Sequence, residues 1–298
     1  MSNQTPDAPP KSPVLPIRLG LDDKVQFACY KGISCFNACC RQADITLTPY
    51  DIIRLKRRLG LTSTEFLKRY TVPFEMDGQG MPGIKLRTED DAPVCKLLDG
   101  DNGCSVYEDR PSACRYYPMG LLAMRPTGSP REEQHWVLVK EDHCRGHEED
   151  NTLTVAQYRK EQGVEEYDEA NRDWYRIILK KRSSGPTVGR PTPQSYHLFF
   201  MASYDMDKFR EFIKESKFRQ YYLLEDDYFE TLIRDDVELM KFGFRLLLQV
   251  LYGEQSIPLV NGALEKRLEE RREIIEAKKK LAEELAKQED PVARYIDD

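Results

Sequence analysis

All eight cysteines of this 298-residue chain lie in its first half, and this distribution limits what the chain can fold into. Residues 145–298 contain none. In a reducing compartment, closely spaced thiols seldom form structural disulfides, so metal binding is the leading explanation for this density of cysteine. The candidate metal ligands are all eight residues: Cys29, Cys35, Cys39, Cys40, Cys95, Cys104, Cys114 and Cys144.

The spacing of the cysteines divides them into two sets and one single residue. The first set reads Cys-x5-Cys-x3-Cys-Cys over residues 29–40, and the second reads Cys-x8-Cys-x9-Cys over residues 95–114. Thiolates bind zinc or the iron of iron–sulfur clusters, and eight thiols exceed the four ligands of one tetrahedral site. The sequence therefore predicts two centres, or one centre with spare thiols. Neighbouring Cys39 and Cys40 would serve separate metals, or one of them is a core thiol.

Other uses of these thiols stay open. Disulfides in an oxidising setting, and buried or redox-active thiols without metal, are the alternatives to metal binding. Two histidines near Cys144 are weaker ligand candidates, because a histidine beside a metal site often lies in its outer shell or faces solvent. These two are His143 and His147, whereas His135 and His197 are expected to be structural.

The charge balance excludes some classes of partner. The chain has 45 Lys and Arg against 51 Asp and Glu, a formal net charge of −6, so it offers no overall field for nucleic acid. We find no apolar segment long enough to span a bilayer, which predicts no membrane partner. The first 20 residues contain five prolines and lack the features of a secretory signal, so a cytoplasmic location is expected.

Composition and periodicity predict an α+β protein that is mainly helical. Residues 1–20 read as a disordered, proline-rich arm, and residues 21–150 as a cysteine-cluster metal-binding module with a β-hairpin. Helical periodicity dominates residues 151–260, with a linker or long loop near 183–193, and residues 261–298 read as a charged helix and tail. Self-association is expected to use residues 263–290, and a protein partner is expected on the helical half.

Local signals place the first elements of the module. Capping boxes starting at Thr48 and Thr62 predict two successive helices, the first ending at Gly60. The turn-rich residues 99–103 predict a hairpin that carries Cys95 on one arm and Cys104 on the other, side by side. Alternating patterns predict further strands at 83–87 and 135–140, and carboxylate pairs such as Asp226-Asp227 and Asp235-Asp236 are expected to be solvated.

The order of several motifs resembles the YkgJ-type cysteine-cluster family over about residues 27–145. The resemblance lies in Cys39-Cys40-Arg41, in the stretch from Ile45 to Leu55 that contains Leu47-Thr48-Pro49-Tyr50-Asp51, and in Arg110-Pro111-x2-Cys114-Arg115-x-Tyr117-Pro118. The family more often has two residues between its first cysteines, whereas this chain has five between Cys29 and Cys35. A more distant similarity links the cysteine cluster to flagellin lysine N-methylase.

The resemblance implies a module that chelates zinc or iron, and the methylase similarity implies an iron–sulfur cluster and S-adenosylmethionine. The chain has none of the standard nucleotide-binding or hydrolase motifs. We therefore expect a metal-binding protein that holds an iron–sulfur cluster or zinc. The alternatives are a cluster-dependent redox enzyme or methylase, and a structural zinc module for protein interaction. Three arginines are expected to donate to cluster sulfurs or to form turns and ion pairs: Arg41, Arg110 and Arg115.

Overall fold

The computed structural model describes residues 12–77, 80–124, 133–183, 192–215 and 217–289. Short strands and helices alternate in the first half of the chain, in this order: β1 (Val14–Leu19), β2 (Lys24–Gln26), α1 (Pro49–Leu59), α2 (Ser63–Tyr70), β3 (Thr71–Glu75), β4 (Pro82–Leu86), β5 (Thr88–Glu89), β6 (Ala92–Cys95), β7 (Leu98–Asp99), β8 (Gly103–Cys104), α3 (Ser112–Tyr116), β9 (Met119–Met124), β10 (Glu133–Val139) and β11 (Thr152–Thr154).

In the described part of the second half, the named elements are all helices: α4 (Val155–Gln162), α5 (Val164–Ser183), α6 (Pro193–Tyr204), α7 (Met206–Glu215), α8 (Phe218–Tyr221), α9 (Asp226–Arg234), α10 (Asp236–Tyr252) and α11 (Ala263–Glu289). The predicted class, mainly helical α+β, is confirmed. Residues 1–11 of the predicted disordered arm and residues 184–191 of the predicted linker lie outside the described residues. The prediction of disorder is wrong for residues 14–19, because they form β1 and pair with β10. No helix in the described ranges has the length and apolar composition needed to cross a lipid bilayer.

The strands form small antiparallel sheets. One sheet has three strands in the order β1-β10-β9, and four further sheets are pairs: β11-β2, β3-β4, β5-β6 and β7-β8. The predicted strands at 83–87 and 135–140 correspond to β4 and β10. Because β2 lies beside β11, the start of the described chain is held against the segment that leads into the helical half.

Both predicted capping boxes are present. Asp51 Oδ2 accepts a hydrogen bond from the Thr48 backbone at 2.8 Å, and Glu65 Oε2 accepts one from the Thr62 backbone at 2.9 Å. Gly60 follows α1 with a φ of 65°, a left-handed conformation that favours glycine and ends the helix. Local sequence signals are thus sufficient to define both helices.

The predicted hairpin exists, but its strands are assigned differently. Cys104 lies in β8, opposite Leu98 of β7, and the tight turn spans Gly100–Asn102. Cys95 lies instead in β6, where its partner is Thr88 of β5. The placement of Cys95 on an arm of the hairpin is therefore wrong, because Lys96 and Leu97 separate two distinct strand pairs.

The hydrophobic core crosses the predicted boundary at residue 150. Ile53 and Leu55 of α1 are fully buried in the same core as Ile177 of α5 and Leu247 of α10. A second core joins residues of β2, α3 and β10 to Val155 and Tyr158 of α4. The division into domains stays a prediction, but α1 owes its burial to helices from the second half of the chain.

A buried ion network reinforces this shared core. Lys56 of α1 has its Nζ 3.1 Å from Asp207 Oδ2 of α7 and 3.2 Å from Asp236 Oδ2 of α10. Arg57 and Arg210 also pair with Asp236. The expectation that Asp236 is solvated is wrong, because it faces the cations of α1 and α7 rather than water and is only 8% exposed.

Replacing Lys56 by Met should lower the free energy of unfolding by about 3 kcal/mol, because two carboxylates would lose a buried cation. Lys241→Met is the matched control, since the Lys241–Glu238 pair is exposed and should contribute under about 1 kcal/mol. Urea unfolding followed by circular dichroism measures both variants. Equal losses in the two variants would contradict a structural role for the buried network.

Candidate metal centre

The segment that carries the first cysteine set is a series of tight turns. Backbone hydrogen bonds join Phe36 N to Ile33 O at 2.9 Å and Ala38 N to Cys35 O at 2.9 Å. Asn37 adopts a left-handed conformation with a φ of 66°, and a 3-10 helix, Cys39–Gln42, follows. The turns fold this set of thiols back on itself instead of spreading it along a strand.

Cys144 lies close to the first set in the fold, although it follows Cys40 by 104 residues in the sequence. Ala28 N donates to Gly146 O at 3.0 Å, which places the chain around Cys29 beside the chain around Cys144. The Arg145 backbone also donates to Cys35 Sγ at 3.2 Å. We call Cys29, Cys35 and Cys144 the first thiol group.

Three separate elements bring the other cysteines together. Cys95 ends β6, Cys104 lies in β8 and Cys114 lies in α3. Ala43 N donates to Pro93 O at 2.8 Å, which holds the 3-10 helix of Cys39 and Cys40 against β6. We call Cys95, Cys104 and Cys114 the second thiol group.

Cys39 is within electrostatic reach of both thiol groups. A thiolate at Cys39 acts to raise the pKa of Cys29 in the first group and of Cys95, Cys104 and Cys114 in the second. Cys40 is within electrostatic reach of Cys114 and Cys95. The fold therefore gathers in one region the cysteines that the sequence distributes over residues 29–144.

The same proximity controls protonation. Burial, followed by the charge of neighbouring thiolates, raises the pKa of Cys29 to about 11. Burial also raises the pKa of Cys114. A hydrogen bond from the Cys40 thiol lowers the pKa of Cys39, which makes Cys39 the thiolate that the local geometry favours. A bound cation would offset the mutual repulsion of the other thiolates, so metal binding and proton release are coupled.

The thiols are free and partly accessible. No disulfide joins the eight cysteines, and Cys29 and Cys39 are exposed. Across the described ranges, no three His, Cys, Asp or Glu side chains already stand in an arrangement that would hold a metal ion. The side chains must therefore rotate, or their loops must move, before several sulfurs can share one ion.

The chemistry of the donor set fits zinc or iron. Sulfur ligands are soft, and sets of four thiolates are the usual ligands of structural zinc and of iron–sulfur clusters. Near Cys144, His143 Nε2 is buried and has no hydrogen-bond partner among the residues that the structure describes, and Tyr117 Oη is buried beside the Cys144 thiol. Burial is the largest cause that raises the pKa of Tyr117, followed by the neighbouring Cys144 and Glu141. These polar atoms would be available to groups around a bound centre.

The two histidines near Cys144 differ in their surroundings. His147 Nε2 lies 3.2 Å from Val139 O, and its ring packs edge-on against Phe27. Burial lowers the pKa of His147, which favours a neutral ring held by packing. His143 Nε2 lies 3.6 Å from Glu141 Oε2, so its nearest charged group is a carboxylate. The surroundings of His147 suit a structural role.

The three arginines of the motifs make contacts other than those with sulfur. Arg41 pairs with exposed Asp101 at 3.6 Å. Arg110 donates to Gln162 Oε1 at 2.6 Å and lies over the Tyr107 ring, although its charge still acts to lower the pKa of Cys29. Arg115 donates to the backbone of Arg110 and Gln162, so it fixes the loop of Cys114 to the end of α4.

Asp51 has a role that its capping box alone did not indicate. It is fully buried, and while Oδ2 caps α1, its Oδ1 accepts a hydrogen bond from Ser112 N at 2.8 Å. The Ser112 hydroxyl also donates to Asp51 Oδ2 at 3.0 Å. One carboxylate therefore satisfies the N-termini of α1 and of α3, the short helix that carries Cys114.

A cysteine-rich region built on short antiparallel strands and capped helices is the kind of domain that binds metal through sulfur. Residues 28–145 match the CxxCxxCC family model, which is described as a "Putative zinc- or iron-chelating domain". Over this segment, which is less than half of its length, the chain is similar to the YkgJ-type cysteine-cluster family, as the sequence motifs predicted. The prediction of metal binding is confirmed at this level.

Comparison with curated proteins and with solved structures found no match. The similarity to flagellin lysine N-methylase therefore stays a prediction.

Asp51→Asn should weaken metal binding by about tenfold, because an amide leaves one backbone N–H without an acceptor and frees the turn that positions Cys114. Glu65→Gln changes the equivalent acid in the capping box of α2, which carries no cysteine, and should leave affinity unchanged. The metal affinity of each variant is measured by titrating the cobalt-loaded protein with a chelator and monitoring the thiolate-to-cobalt absorption band. Equal effects of the two substitutions would refute a positioning role for Asp51.

Proposed function

We propose that the chain is a cytoplasmic metalloprotein whose eight thiolates hold two neighbouring centres, each an iron–sulfur cluster or a zinc ion. One centre would use Cys39 with the first thiol group, and the other would use Cys40 with the second. The observation that carries this proposal is that Cys39 is within electrostatic reach of Cys29 in the first group, whereas Cys40 is within reach of Cys95 and Cys114 in the second.

The packing of the thiols supports two centres. Cys95 and Cys104 of the second group pack against the larger core that contains α1, whereas Cys144 of the first group packs against the smaller core around Phe27. The two groups are thus held by different parts of the fold. Neighbouring residues of a chain point in different directions, so Cys39 and Cys40 can each face one group.

A cytoplasmic location belongs to the same proposal. Metal binding needs deprotonated, reduced thiols, and these persist in reducing compartments. All eight cysteines are free, and the exposed Cys29 and Cys39 would be open to oxidation elsewhere. When bound, zinc would contribute folding free energy, whereas iron–sulfur clusters would supply a site for electron transfer.

Metal and acid-labile sulfide analysis of anaerobically purified protein, together with a visible spectrum, tests the proposal. Two zinc ions, or iron with stoichiometric sulfide and a brown chromophore, are the expected results. Cys114→Ser and Cys35→Ser should each remove one centre and leave the other, so that each retains about half the metal. Ser34→Ala is the control and should keep the full content.

Two results would refute two four-thiolate centres. One is a loaded protein in which eight thiols still react with a disulfide reagent. The other is loss of all metal from either single cysteine variant, which would indicate one shared centre. Iron that is bleached reversibly by a reductant would favour the redox alternative, and colourless zinc protein would exclude it.

Removing the metal should loosen the cysteine loops without unfolding the protein. The segments around residues 29–43 and 95–118 contain only strands and helices of at most five residues, whereas α1 is buried by α5 and α10. Hydrogen exchange of chelator-treated protein should show protection lost in these two segments and retained in α1 and α10. If α10 also lost protection, the helical core would depend on the metal, and this prediction would be wrong.

A further inference from the structure

A groove lies on the helical half of the protein. All of its lining residues come after the last cysteine of the sequence, Cys144. It consists of two adjoining cavities of about 260 and 960 Å³ that share Leu198, Tyr221, Tyr222, Val250 and Arg267 as lining residues. Its walls come from α6, α8, α10 and α11 and from the loop before α11. The metal centre uses none of these residues.

The apolar part of the groove is unusually accessible. Val250, Leu264 and Ile275 line it, yet their exposures are 39%, 54% and 58%. Phe218 and Tyr222 line its interior, stacked on each other with ring centroids 4.4 Å apart. Contiguous exposed apolar side chains of this kind mark ligand or partner sites.

One face of α11 supplies positive charge to the same groove. Arg267 and Arg271 lie between Leu264 and Ile275 at spacings of three and four residues, so the four side chains share a face. These residues span about 16 Å of helix at about 1.5 Å per residue. The groove therefore has apolar positions at both ends of an arginine pair.

The negative charge in the groove is already paired. Tyr221 Oη donates to Glu270 Oε2, and Lys217 Nζ lies 3.3 Å from Glu270 Oε1. Neither Arg267 nor Arg271 has a carboxylate within ion-pair distance among the residues that the structure describes. Three cations against one carboxylate give this groove a positive lining, although the whole chain has a formal net charge of −6.

We propose that this groove binds an anionic amphiphile, meaning a carboxylate or phosphate headgroup carried on a hydrocarbon chain. The arginine pair would hold the headgroup, since guanidinium groups bind carboxylate and phosphate through paired hydrogen bonds. The hydrocarbon chain would cover Val250 and the neighbouring apolar side chains. A cavity volume near 960 Å³ is that of a small-molecule site, which favours a lipid-sized ligand over a docked helix.

Calorimetric titration of the full-length protein with dodecanoate, below its micelle concentration, tests this site. Saturable binding of one or a few molecules is expected, and dodecyltrimethylammonium, which has the same chain length and opposite charge, should bind at least about tenfold more weakly. Dodecyl phosphate should bind as dodecanoate does if the headgroup is recognised by charge and paired hydrogen bonds.

Variants separate the two halves of the site. Arg267→Gln combined with Arg271→Gln should weaken dodecanoate binding by about tenfold or more. Val250→Asp, at a partly exposed position, should do the same by placing a negative charge in the apolar part. Arg272→Gln is the control, because Arg272 is exposed on α11 and does not line the groove.

Three outcomes would overturn the proposal. Absence of saturable dodecanoate binding is the first, and equal binding of the cationic amphiphile is the second. The third is a dimer that becomes monomeric in the double arginine variant and binds no amphiphile, since a second copy would then occupy the groove. Circular dichroism of each variant verifies that loss of binding is not loss of folding.

Discussion

The structure depends on the burial of the apolar face of helix α1. Its apolar residues, such as Ile53 and Leu55, lie in a core formed with α5 and α10, and its two buried charged residues, Asp51 and Lys56, are both paired. Lys56 meets two carboxylates from the second half of the chain, and Asp51 satisfies the starts of two helices. Removing either partner would leave a buried group without compensation, which is more costly than losing an exposed pair.

This burial also determines where the cysteines can lie. Asp51 joins α1 to the short helix of Cys114, and β6 holds Cys95 against the turn of Cys39 and Cys40. The cysteine loops are thus attached to a core that is formed mainly by helices, to which the loops add Leu97 and Val106. Such an arrangement lets a centre form by side-chain movement within loops, because the helices behind them already have a stable position.

Local signals in the sequence were sufficient for much of the fold. The capping boxes at Thr48 and Thr62 and the glycine after α1 defined two helices, and the order of the motifs indicated the zinc- or iron-chelating family. Local sequence signals did not indicate which distant residues would be in contact. The placement of Cys95 on a hairpin arm was wrong by a few residues, and Asp236 was taken for a surface residue because its cations come from α1 and α7.

The sequence by itself determined the chemistry that is available: eight thiols in one segment, helices with encoded ends, and a second half without cysteine. Only the tertiary structure decided which thiols become neighbours and which charged residues are buried. The physical reason is that caps and turns act over a few residues, whereas the approach of Cys144 to Cys29 and Cys35, and the ion pair of Lys56 with Asp236, form only when distant segments pack together.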